Sequence, residues 1–194
     1  MLKSIFAVLV VLTSHSAFAN QEVEIELIES SVATPAKSTF EADSQKAHAA
    51  WVEKLKNDPA WVDTQIKKVP KVKSNRKIRC VTWGLGFLVG GQFGTCRSRN
   101  AVYALSTLSI GLNLGIHAEF LRFKFPSEIT QDKIRMSGMR SAVKFGVGIE
   151  GGSYEEDLGG GQKGIRMFGI GTGFEFTPAE IVFIVHLDKI RDLK

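Results

Sequence analysis

A small antiparallel β-barrel, closed or nearly closed and built from about six or seven strands, is the fold this sequence predicts, with an α-helical extension before it. Three observations predict it. From about residue 78 onward, apolar residues alternate with glycine or polar residues at a period of two, which is the strand signature. All 19 glycines fall at position 84 or later. The two cysteines, Cys80 and Cys96, bracket the first Gly-rich stretch, "CVTWGLGFLVGGQFGTC".

The elements follow in chain order. Lys3, an apolar run from Ile5 to Leu12 and the small-x-small pattern Ala17-Phe18-Ala19 predict an export signal over 1–19, with a mature start at Asn20. The apolar run is far short of the ~20 residues that cross a bilayer. Residues 20–40 read as a flexible segment: "EVEIELIE" alternates Val23, Ile25 and Leu27 with acids, and "SSVATPAKST" has linker composition. The stretch 41–66 reads as helical, with Ala47, Trp51 and Leu55 four apart on one face and Pro59 opening a second short helix. One tryptophan per helix predicts that the pair caps the β domain.

Residues 67–78 form a basic linker. Lys67, Lys68, Lys71, Lys73, Arg76 and Lys77, with Arg79 just beyond, occur without an acid among them. Such a run either stays solvated or grips an anionic lipid or envelope surface, at roughly 1 kcal/mol per basic residue. Nucleic acid fits the charge, but export and the lack of interleaved aromatics count against it.

The Gly-rich β domain spans 79–188, and 189–194 reads as a charged tail. Glycine opposite bulk is what tight curvature in a small barrel requires. Because 80–96 fully extended would reach roughly 50 Å, a Cys80–Cys96 bridge demands a reversal, and "VGGQ" at 89–92 is the place expected. In "STLSIGLNLGIHAEF" the apolar face carries Ile110, Ile116 and Phe120; the alternation then flips to Leu121, Phe123 and Phe125, which predicts a bulge near Phe120. "EIVFIVHL" is apolar on both faces, as in a strand covered on both sides.

Three segments, "LGIHAE", "FGVGIE" and "IGTGFE", each place a glutamate four residues after a glycine. With Asn113 and His117, they make Glu119, Glu150 and Glu175 the candidate polar-face site. Each glutamate is expected to close its strand at the solvent edge, Glu119 and Glu175 at one end of the barrel and Glu150 at the other. Too few oxygen ligands converge in the sequence to predict a metal. "GLGFLVGG" mimics a phosphate loop, yet no helix follows it to present N–H groups, so no nucleotide or other cofactor is expected. His48 and His186 stand isolated. A His117/Glu119 pair serves acid–base chemistry in principle, but no nucleophile accompanies it.

From Cys80 to about Val185, the cysteine-bracketed Gly-rich hairpin, the "GLNLGI" strand and "FGVGIEGG" resemble a family of small exported bacterial Gly-rich β proteins of unknown function. "GGQFG", with a Gly-rich run before a final apolar strand, is also similar to lipid-binding Gly-rich domains. The resemblance implies an envelope-facing, non-catalytic β domain and supplies no catalytic residue. The expectation is an exported module of the bacterial periplasm or outer envelope, structural or holding a lipid-like ligand. The alternatives are a small outer-membrane β-barrel, or a hydrolase-type enzyme using His117 and Glu119.

Overall fold

The computed structural model describes residues 34–157 and 163–193, with side chains placed except at 34–41, 87–88 and 111–114. The expected signal, the acidic stretch at 22–29 and the Asn113 side chain lie outside what is described. Helices α1 (Thr34–Asn57) and α2 (Pro59–Lys68) precede strands β1 (Lys77–Arg97), β2 (Ala101–Lys124), β3 (Lys133–Glu156) and β4 (Ile165–Asp192). Glu41–Lys194 hold together as one unit. The fold is mainly β.

Helix α1 begins inside the stretch that reads as linker, because Pro35 falls in its first turn, where a missing N–H costs nothing. Asp58 caps α2, its carboxylate accepting from Trp61 N at 2.9 Å, and Pro59 occupies the first turn. The buried face of α1 runs through His48 and Leu55, while Ala47 stays exposed, one position off the expected face. Leu55, Val62 and Ile66 pack against Val81, Val102 and Ala104 on the outer surface of the sheet, so the two helices cap the β domain as expected.

All strand pairs are antiparallel, in the order β1-β2-β4-β3. Each strand is long and bends near its middle. β1 doubles back about residue 88: the Cα atoms of Cys80 and Cys96 are 3.9 Å apart in the disulfide, and a Cβ on Gly84 would meet the Gln92 side chain. The pivot thus sits just before "VGGQ", at the register break between Phe87 and Val89. β3 doubles back at Gly146, whose φ of +83° favours glycine, and Asp157 N donates to Arg135 O at 2.8 Å across it. β2 and β4 break register between Gly111 and Gly115 in the same zone. With β1 and β3 each counted as two at their reversals, the elements make six antiparallel strands of a ring-like sheet.

Away from the bends the ring holds a conventional core of Ile78, Leu105, Phe123, Ile134, Met136, Ile165 and Leu187. Full burial of such a side chain contributes about 1.5–3 kcal/mol. "EIVFIVHL" is covered on both faces along Val182–Leu187, apart from the partly exposed Phe183. The expected charged tail is strand instead: Asp192 pairs with Ala101, and Ile190 and Leu193 pack beneath the helices.

No bulge interrupts β2 near Phe120. Its register with β1 runs unbroken from Gly115 to Lys124, with 117, 119, 121 and 123 all buried. What changes there is chemistry. The inward face is His117 and Glu119 on the bend side, then Leu121 and Phe123, while Ile116 and Phe120 point outward.

Candidate functional site

At the bend end the ring is filled with charge. Glu119, Glu150, Glu175 and Glu180 converge on Arg140 and Lys144, all six at most 4% exposed. Arg140 bridges Glu150 at 2.7 Å, Glu175 at 2.8 Å and Glu180 at 2.7 Å. Lys144 Nζ donates to Glu175 at 2.6 Å and Glu150 at 3.3 Å, and it contacts Glu119. His117 Nε2 is 3.2 Å from Glu119 and accepts from Gln92 Nε2 at 3.2 Å. Ser109 Oγ donates to Glu180.

Four candidates read from the sequence, His117, Glu119, Glu150 and Glu175, therefore do meet. They meet in the interior, not at the solvent edge, and Glu150 joins the same cluster instead of the opposite end. Both corrections have one cause. Each strand folds back at its middle, so residues on its two halves face one space; Arg140 and Lys144 reach Glu150 across the β3 bend.

Glycines opposite the cluster residues on neighbouring strands have a steric reason. Gly84 lies opposite His117, Gly171 opposite Glu119 and Gly169 opposite Glu150 in the strand registers. A Cβ on Gly84 would sit 2.1 Å from His117 Nε2, one on Gly171 2.7 Å from Glu119 Cγ, and one on Gly169 2.5 Å from Glu150 Cγ. Each large polar side chain lies across the glycine of the neighbouring strand.

Electrostatics follow from burial. Burial, with Glu175 opposing it and Lys144 and Arg140 adding to it, lowers the His117 imidazole to about 4. Burial and the adjacent Glu150 raise Glu119 to about 9, so it keeps its proton at neutral pH. For Glu175, burial opposes ionisation, but Arg140, His117 and Lys144 outweigh it and hold the carboxyl below its ordinary value. Burial likewise opposes the charge on Lys144, and Glu150 and Glu119 overcome it. His117, Glu119 and Glu175 offer ligand atoms within 4.8 Å of one another. The Lys144 ammonium already contacts both carboxyl groups, so an ion there would have to displace it. With its carboxyls engaged by Arg140 and Lys144, the cluster reads as a neutralised interior.

Arg140, Lys144 and Glu180 were missed by sequence reasoning. "VKFGVGIE" places Lys144 six residues before Glu150, which signals nothing until the strand folds on itself. His48 and His186 are not isolated either. Their rings stack at 4.8 Å, Ser106 Oγ lies 2.8 Å from His48 Nδ1, and Asp188 is 3.3 Å from Nε2. A Ser-His-Asp order invites a catalytic reading, but Ser106 is buried and does not line the neighbouring cavity. This group ties α1 to β2 and β4.

Around the charged interior the outer surface is apolar. Leu85, Ile116 and Phe174 are 69%, 78% and 60% exposed, and Phe120, Phe145, Val147, Ile149 and Ile170 join them. Ile110, Ile181 and Met139 continue the belt on the other wall. Farther from the bends the outward residues turn basic. Lys77 pairs with Lys124 and Lys124 with Arg166, while Arg79 pairs with Arg122. Lys67 and Lys68 end α2, and Lys71, Lys73 and Arg76 are exposed before β1. Among the described residues no helix is long and apolar enough to cross a membrane. The chain matches no family model, no curated protein and no solved structure.

Proposed function

We propose that this chain is an exported, non-catalytic envelope module that docks by sinking its bend end into one leaflet of an anionic membrane. The supporting observation is inverted polarity at that end, with charges inside and large apolar side chains outside. Water-soluble surfaces scatter such residues singly, whereas a contiguous belt marks a lipid or partner surface. On β2 the outward order is Ile116, Ala118, Phe120, Arg122, Lys124; on β4 it is Phe174, Thr172, Ile170, Phe168, Arg166. Apolar rows thus give way to cations, as at the boundary between acyl chains and headgroups. Like charges directly opposite on paired strands are destabilising, so the Lys77–Lys124–Arg166 row calls for an anionic counterpart.

Depth favours insertion over spanning. From Phe174 to Phe168 the belt is roughly 20 Å at ~3.3 Å per residue, short of the ~30 Å hydrocarbon core. The bend segments "GFLVG", "GLNLG" and "FTPA" contain no charged residue to meet water on a far side. The test is flotation of the full chain with vesicles of phosphatidylglycerol and phosphatidylcholine. Ile116→Glu with Phe174→Glu should abolish flotation at every salt concentration. Replacing Arg122, Lys124 and Arg166 by Gln should weaken it up to about 100-fold, at ~1 kcal/mol per charge. A wild-type protein that stays at the bottom of the gradient at low salt would overturn the reading.

A further inference from the structure

We infer that the groove between α1 and the outer face of the sheet is a binding site for one acyl chain bearing an anionic head. The groove measures about 960 Å³ and is walled by Trp51, Trp83, Phe93, Leu85 and Ile116. That is the size and character of a small-molecule site, mostly apolar with few polar groups. Ala47 and Ala50 on the helix, with Gly91 on β1, keep it open.

The space is not a by-product of helix docking. Farther along, the same interface is closed by Leu55, Val62 and Ile66 against Val81, Val102 and Ala104. Around the groove the walls are braced: Trp51 packs edge-on against Trp61 and Phe93, with ring centroids 5.7 and 5.8 Å away, and Trp61 packs on Trp83 at 5.8 Å. The Trp51 indole N–H donates to Gly94 O at 3.1 Å, so this wall presents no unmet donor to an apolar guest.

Charge selects the head. Lys54 is the one cation in the lining, and its ammonium lies 5.6 Å from the Trp51 ring centroid. His117 at the floor stays neutral at ordinary pH. A carboxylate or phosphate beside Lys54, with its chain laid along Trp51, Phe93 and Ile116, satisfies both features. A fatty acid and a lysophospholipid share that chemistry. Leu85 and Ile116 belong to both the groove and the outer belt, so a chain leaving a membrane reaches the groove over apolar surface.

The experiment titrates the full chain, by tryptophan fluorescence below the critical micelle concentration, with oleate, oleoyl-lysophosphatidylglycerol and uncharged monoolein. Saturable one-to-one binding of an anionic amphiphile is expected, and whichever of the two binds tighter identifies the head. Ala50→Phe, on an exposed helix position, should weaken binding at least tenfold while leaving the melting temperature and vesicle flotation unchanged. Lys54→Gln should weaken oleate or lysophospholipid binding about fivefold and leave monoolein binding untouched. Equal affinity in wild type and Ala50→Phe, or no saturable binding, would overturn the site. Lost flotation with retained groove binding would instead remove only the membrane-docking reading.

Discussion

Replacing Lys144 by Met tests whether the buried cluster is a neutralised interior. The side chain is 0% exposed, and its ammonium lies 2.6 Å from Glu175, 3.3 Å from Glu150 and in contact with Glu119. Methionine keeps most of the volume and removes the charge. Breaking a buried pair on one side costs about 3–5 kcal/mol, because the partner charge stays behind unpaired. At about 2–4 °C per kcal/mol for a chain of this size, the melting temperature should fall by about 10 °C at pH 7.5. The orphaned carboxyls answer by holding protons more tightly in the folded state than in the unfolded one. Stability of the variant should therefore recover relative to wild type as pH falls from 8 to 5. Adding Glu175→Gln removes one orphaned charge and should restore part of the loss. Calorimetry across that range decides the matter. A Lys144→Met melt within about 2 °C of wild type, parallel at every pH, would refute the ion-cluster argument.

Three further outcomes follow from the same geometry. Burial holds His117 and His186 at about 4, so between there and ~6.5 the unfolded chain binds more protons and stability falls as pH drops, at about 1.4 kcal/mol per pH unit for each group. Glu119, raised to about 9, has the opposite sign: it offsets one histidine above ~4.5 and makes stability fall as pH rises toward 9. Urea midpoints should therefore peak near neutrality, and Glu119→Gln should flatten the alkaline limb and steepen the acid one. Reducing the buried Cys80–Cys96 bridge should cost about 3 kcal/mol, given a closed loop of roughly 15 residues, and urea melts with and without reductant will show it or its absence. Leu55→Ala, at a 1% exposed position against Val81 and Val102, should cost about 2–5 kcal/mol; a change under 0.5 kcal/mol by urea melt would mean the helices do not complete the core.

Strand type was legible because a period of two shows within any ten residues. The disulfide was legible because two cysteines allow a single pairing. The partnership of Gly84 with His117, or Gly171 with Glu119, was not legible. The recurrent glycine-to-glutamate spacing runs within one strand, whereas these partners sit across the sheet and need a register to find them. His48 and His186 are separated by most of the protein, and no local pattern relates them. Arg140 and Lys144 look like ordinary wet-face cations until β3 folds at Gly146 and turns their side of the strand inward.

The flip after Phe120 is the instructive case. Alternation that changes phase has two physical origins: a slipped backbone, or a constant backbone passing through a change of surroundings. A slip moves every later side chain to the other face, yet Leu121 and Phe123 keep facing inward exactly where Glu119 and His117 do. So the surroundings change. Near the conventional core, apolar side chains point in and Arg122 and Lys124 meet water. Near the bends, the apolar side chains point out and the polar ones pair with one another. A chain in a uniform aqueous environment has no reason to reverse its polarity midway along three neighbouring strands at one height. β1, β2 and β4 all do so, with cations at Lys77, Arg79, Arg122, Lys124 and Arg166 on the wet side of that line. The line is where the proposed membrane surface lies, and moving it is a direct check. Replacing Phe120 and Ile170, the last apolar pair on its lipid side, by Lys should leave a protein that still folds around its inner cluster, with shallower quenching by brominated acyl chains and a steeper dependence of flotation on salt.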